Sequence, residues 1–146
     1  MAADGADLDA IHPDQGSTAL YLAALRGEKT MVSTLLEAGA NPDAATAAGL
    51  TGLGAAAHAA HAEVLAMILD AGASVDLLNQ AEETALFAAA RAGHGEMVAK
   101  LKAAGADLRL KGKDGQTALH VAAGAGHASA AAALLDGGAF VNALDA

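Results

Sequence analysis

The chain of 146 residues carries a formal charge of −9 and a pI near 4.8, so it repels a phosphate backbone on average and no nucleic-acid partner is expected. It has no cysteine, which removes disulfides and thiolate metal sites and fits a reducing compartment. Apolar residues make up 54%, but 44 residues are alanine and only Tyr21, Phe87 and Phe140 are aromatic; the expected core is one of short side chains packed by close helix approach.

Residues 1–13 open on Met1-Ala2-Ala3-Asp4, acidic where a signal peptide needs a basic start. Within them, Gly5-Ala6-Asp7-Leu8-Asp9-Ala10 matches Gly39-Ala40-Asn41-Pro42-Asp43-Ala44 at a displacement of 34 residues. The segment is either the end of a preceding repeat or a chance Ala/Asp/Gly string. No run reaches the ~18 consecutive apolar residues needed to span a bilayer, so the cytoplasm, or the nucleus by passive entry, is the expected location.

Four repeats follow, spanning 14–46, 47–79, 80–112 and 113–146. Their period is 33 without an insertion: Thr18, Thr51, Thr84 and Thr117 coincide, as do Leu20, Leu53, Leu86 and Leu119, and Gly39, Gly72, Gly105 and Gly138. A period of this length is the mark of a solenoid, in which each unit buries its apolar face only against its neighbours.

In the first repeat Thr18 is an N-cap, Leu20, Ala23 and Ala24 form an apolar stripe, and Gly27 ends the helix in a left-handed turn. A second helix from about Lys29 to Ala38 is expected to bury Met31, Val32, Leu35 and Leu36. The second repeat places Gly52 and Gly54 in the first turn of its first helix, each costing ~1 kcal/mol relative to Ala. It also has Ala60 where the others have glycine, and is expected to be the softest unit.

The third repeat has Lys102 where the others have Leu36, Leu69 and Leu135; its methylenes should follow the core and its amine should reach water. The fourth has the thinnest second helix, with Ala130 and Ala131 in place of Met or Val and Val or Leu. That forfeits a few kcal/mol unless the helices close up. Its Ala-rich outer side suggests that the array continues or that another chain covers it, giving a monomer or a weak end-to-end dimer through the fourth repeat.

These residues resemble the ankyrin repeat family: Gly115-Gln116-Thr117-Ala118-Leu119-His120-Val121-Ala122-Ala123, then Gly126-His127, Leu134-Leu135 and Gly138-Ala139, recurring over residues 14–143. The family's proline is replaced by Ala19, Gly52, Ala85 and Ala118, and its histidine survives only as His120, with Tyr21, Gly54 and Phe87 in its place. The resemblance implies an all-α solenoid of helix-turn-helix pairs with projecting β-hairpin fingers and a concave groove. It also implies that His61, His94 and His127 bond the backbone of a neighbouring repeat. A tetratricopeptide array would need a different period and aromatic positions that are absent.

No P-loop, Ser/His/Asp arrangement or other catalytic constellation is present, so neither an enzyme nor a cofactor is expected. His58-Ala-Ala-His61 spaces two imidazoles by one helical turn, but only Glu63 stands nearby to complete a ligand set; no metal site is expected. By resemblance, the variable positions at the finger tips and first-helix ends carry the partner-binding residues. These are Arg26, Leu50, His58, Glu83, Arg91, Lys111, Lys113 and Gln116.

Residues 1–99 hold 13 acids against Arg26, Lys29 and Arg91, whereas residues 100–146 carry a net +1. A groove richer in base than the rest of the chain would favour a protein partner with an acidic segment; the bland alternative is a solvated acidic surface. The expected function is a protein-interaction module, with a structural or regulatory segment of a longer protein as the alternative. Asn142 resembles asparagines that are hydroxylated in such repeats, although Phe140 departs from that pattern.

Overall fold

The computed structural model describes residues 7–13 and 16–136. Threonine starts every inner helix: α1 (Ala19–Arg26), α3 (Gly52–Ala59), α5 (Ala85–Ala92) and α7 (Ala118–Gly124) follow Thr18, Thr51, Thr84 and Thr117, all with extended backbone. The hydroxyls of Thr18 and Thr51 accept from the amides of Tyr21 at 3.1 Å and Gly54 at 3.2 Å. Thr117 is in a reciprocal pair with His120, whose Nδ1 accepts from the Thr117 amide at 3.2 Å while the His120 amide donates back to the hydroxyl at 3.4 Å.

A left-handed residue then reverses the chain into the outer helices α2 (Lys29–Glu37), α4 (Ala62–Asp70), α6 (Gly95–Ala103) and α8 (Ala128–Asp136). The same bond closes each reversal: the amides of Glu28, His61, His94 and His127 donate to Ala23, Ala56, Ala89 and Ala122 at 2.9–3.0 Å. The inner helices pack in a row, each against the next, and each outer helix packs on its own inner partner. The core is the line of Leu20, Leu53 and Leu86 with paired alanines such as Ala56 and Ala57, closed by Val32, Leu65, Val98 and Leu134 from the outer row. Among the described residues the fingers contain no strand, only the isolated bridges Ala45–Thr51 and Lys111–Thr117. Turn hydrogen bonds carry the hairpin shape instead.

Met31 is 48% exposed, not buried as expected, and Leu36 is half-buried, while Val32 and Leu35 are buried. The equivalents of Met31, which are Val64, Met97 and Ala130, are all buried. That position faces the preceding outer helix, and among the described residues α2 has none. Lys102 also departs from expectation: its amine donates to the Ala133 carbonyl at 2.6 Å, meeting a last-turn carbonyl of α8 instead of water. Gly52 is buried because a Cβ there would sit 3.2 Å from both Leu20 Cγ and Ile68 Cδ1. Its cost in helix propensity comes with close inner-helix packing.

Carboxylates join successive repeats along the turns that follow the outer helices. Asp9 accepts from the Asn41 amide at 2.9 Å, Asp43 from the Ser74 amide and hydroxyl at 2.8 and 2.7 Å, and Asp76 from the Asp107 amide at 3.0 Å. On the outer face Lys29 bonds Glu63 at 2.8 Å, and that bond and charge hold the Glu63 carboxyl below its ordinary pKa. His12 N donates to Ser17 O at 2.8 Å, the same kind of bond that Thr46 N makes to Leu50 O in the next finger. The span from His12 to Ser17 is one residue longer than that from Thr46 to Leu50, which accounts for the displacement of 34 where the repeats elsewhere keep 33.

Among the described residues two that are not glycine sit in the left-handed region, Ala60 (φ 62°) at the second helix reversal and Glu82 (φ 59°) in the third finger. Their equivalents are Gly27, Gly93 and Gly126 in the first case and Gly16, Gly49 and Gly115 in the second. A left-handed L-residue costs about 1–2 kcal/mol, and glycine returns part of that through the freedom of the unfolded chain. Ala60→Gly and Glu82→Gly should therefore each stabilise the protein by about 0.5–1 kcal/mol. Urea denaturation would show a higher midpoint at unchanged slope.

Candidate partner-binding groove

The finger turns are shaped by side chains that cap their own backbone. Thr46 Oγ1 accepts from Ala48 N at 3.2 Å and Leu50 N at 3.1 Å, Asn79 Oδ1 from Ala81 N at 2.8 Å and Glu83 N at 3.1 Å, and Asp114 Oδ1 from Gln116 N at 3.2 Å. Adjacent fingers are also linked, Ala47 N to Gly16 O at 3.0 Å, Gln80 N to Ala48 O at 3.3 Å and Lys113 N to Ala81 O at 3.4 Å. Residues at their tips are thus held in register with the inner helices.

At the other edge of the groove the recurring histidines fix the helix ends. His61 Nε2 meets Leu25 O at 3.1 Å, His94 Nε2 meets His58 O at 3.0 Å and His127 Nε2 meets Arg91 O at 2.9 Å. Each ring satisfies a last-turn carbonyl of the preceding inner helix, as the resemblance implied. It also braces the backbone from which His58 and Arg91 project. Added Cβ atoms at Gly27 and Gly93 would come within 2.7 Å of the His61 ring and 2.6 Å of the His127 ring, so glycine leaves room for these ties. Among the described residues no group of three or more His, Asp or Glu is placed to hold a metal ion.

Between α1, α3, α5 and the second and third fingers lies a cavity of about 310 Å³. It is lined by the apolar side chains of Tyr21, Leu25, Leu50, Leu77, Ala55 and Ala88, by Gly54, and by the polar side chains of His58, Asn79, Glu83 and Arg91. Leu50 and Leu77 are 38% and 40% exposed. Four expected site residues, Leu50, His58, Glu83 and Arg91, meet here; Arg26, Lys111, Lys113 and Gln116 lie outside the cavity. Tyr21, Leu77 and the space over Gly54 were not anticipated. The signal for the last is that Gly54 departs from its equivalents, which by itself indicates only a loss of helix propensity.

The expected basic row is corrected in one respect. Arg91 is held by Glu83 through both terminal nitrogens, at 2.7 and 2.5 Å, in the fork geometry that suits a carboxylate. Glu83's hydrogen bonds, and less strongly its charge and that of Asp114, raise the Arg91 pKa further, against burial. The cavity therefore has one cation and one anion, mutually satisfied, while Arg26, Lys111 and Lys113 stand exposed around it. Thr84 at the cavity wall has a buried hydroxyl without a hydrogen-bond partner, because the Phe87 amide bonds the Thr84 carbonyl at 3.1 Å instead. Asn142 and Phe140 lie outside the described residues.

A row of helix pairs whose inner helices and finger turns line one shared face defines a repeat-built solenoid. The model for ankyrin repeats (three copies) matches residues 2–79 and 53–145, and the chain belongs to the ankyrin repeat family, whose members are generally protein-interaction modules. No curated protein matches the chain. Among the described residues no helix is long and apolar enough to cross a membrane.

Proposed function

We propose that the chain is a non-catalytic interaction module that receives a segment of a partner protein in the groove between its fingers and inner helices. The supporting observation is the cavity at the second and third repeats, where the exposed leucines Leu50 and Leu77 share one lining with the polar side chains of His58, Asn79, Glu83 and Arg91. Apolar anchors in such a depression supply most of the affinity, and the surrounding charges govern orientation and association rate. Arg26, Lys111 and Lys113 would then face acidic residues of the partner beside the cavity, because Arg91 within it is already matched by Glu83.

Selection of a displayed peptide library against the whole chain tests this reading. Enriched peptides should lose at least about tenfold in affinity with Leu50→Asp or Leu77→Asp, the effect of placing an unpaired charge in an apolar contact. They should be unaffected by Leu135→Asp on α8, which lies in the outer row. Peptides indifferent to both groove substitutions would overturn the proposal.

A further inference from the structure

Tyr21, Gly54, Phe87 and His120 occupy one register position, the third residue of each inner helix. At the third repeat this position supplies a ring that is 1% exposed. The ring runs toward the next finger, where a Cβ on Gly112 would lie 3.5 Å from Phe87 Cε2. One repeat earlier the same path is empty. Gly54 has no side chain, a Cβ built on it meets only Thr51 Oγ1 at 3.6 Å, and Asn79, the register equivalent of Gly112, lines the cavity.

We infer that the cavity over Gly54 takes an aromatic side chain, phenylalanine or tyrosine, from the partner segment, in the cleft position that Phe87 fills from within the chain one repeat later. The inference rests on the groove reading above and names the anchor that reading leaves open.

Size and charge both select this occupant. About 310 Å³ is at the lower end of the range for ligand pockets, roughly 300–1,000 Å³, which suits one ring better than an extended ligand. The ionic groups in the wall, Glu83 and Arg91, are bonded to each other, so a charged anchor would have to displace an existing bidentate pair. A neutral ring leaves that pair intact and lies against Tyr21 and the leucines. A phenol would also find polar side chains in the lining, His58 and Asn79.

The test is an amide-resolved NMR titration of the whole chain with p-cresol as the aromatic probe and 3-methyl-1-butanol as the aliphatic one. p-Cresol should shift the amides of Leu50, Gly54 and Leu77 saturably and bind about fivefold more tightly than the alcohol, the margin expected of ring contacts. Gly54→Phe, which fills the cleft from within, should abolish the response, and Leu77→Ala, at an exposed wall position that leaves the core intact, should weaken it several-fold. Should Gly54→Phe fail to fold, Leu77→Ala decides. Equal affinity for the two probes, shifts scattered away from the cavity, or indifference to Leu77→Ala would overturn the inference. Because the probes need no partner, this outcome is separable from the function itself. Selected peptides without a shared aromatic that still depend on Leu50 would keep the groove and remove the ring.

Discussion

Phe87→Ala is expected to destabilise the protein by about 3–5 kcal/mol, the usual result of emptying a fully buried aromatic site. The ring is 1% exposed and is, among the described residues, the largest of the fully buried side chains. It lies between the third repeat and the finger of the fourth, so the loss falls on the joint between two units as well as on the interior of one. A solenoid is held by such nearest-neighbour joints, and weakening one should split a single urea transition into two, with the fourth repeat melting first. The converse substitution has the opposite sign. Gly54→Phe removes a helix-interior glycine and places a ring in open space, and should stabilise by about 1–3 kcal/mol. Chemical denaturation of the two variants side by side checks both signs. A destabilised Gly54→Phe would show that the two clefts are not equivalent.

The second large effect is expected at Gly95, the first residue of α6. A Cβ there would stand 2.2 Å from Ser129 Oγ and 2.9 Å from the Ser129 carbonyl oxygen, and the second contact is with backbone that cannot rotate away. Gly95→Ala should cost about 1–3 kcal/mol through overpacking, and Ser129→Ala in the same chain should recover only part of it. Other repeats carry Lys29, Ala62 and Ala128 at this position, so the intolerance is specific to the third and fourth repeats, where α6 and α8 pack more extensively than the other outer pairs. Hydrogen exchange should place the damage in α8, with α1–α4 unchanged. Full protection of α8 in Gly95→Ala would refute the account.

This close approach also answers the question posed by the Ala-rich last helix. Ala130 and Leu134 are fully buried, because a glycine on one helix and alanines on the other let the backbones come together. Sequence alone names the small residues but not the direction in which the helices move. Other features were legible to different depths. The threonine caps, the left-handed reversals and the histidine ties follow from local chemistry repeated at a fixed spacing. The exposure of Met31 is not legible from its own helix, because burial at that position depends on a preceding helix. The Arg91–Glu83 pair spans eight residues and a finger turn, so neither helix nor strand periodicity announces it. Gly54 was visible as a weak helix residue, whereas the space above it exists only once two fingers and three helices are assembled.

The carboxylate ties between repeats bear on how such an array can be lengthened. Each repeat's aspartate serves an amide about one period further on, 31 residues away from Asp43 and from Asp76. A copied unit would therefore bring both the acceptor for its successor and the amide for its predecessor. Copies inserted up to the third repeat would dock with no new chemistry. Arg109 stands in the next aspartate position, and a guanidinium has donors only. A unit spliced behind it could not reuse the carboxylate tie and would have to be joined there by other chemistry.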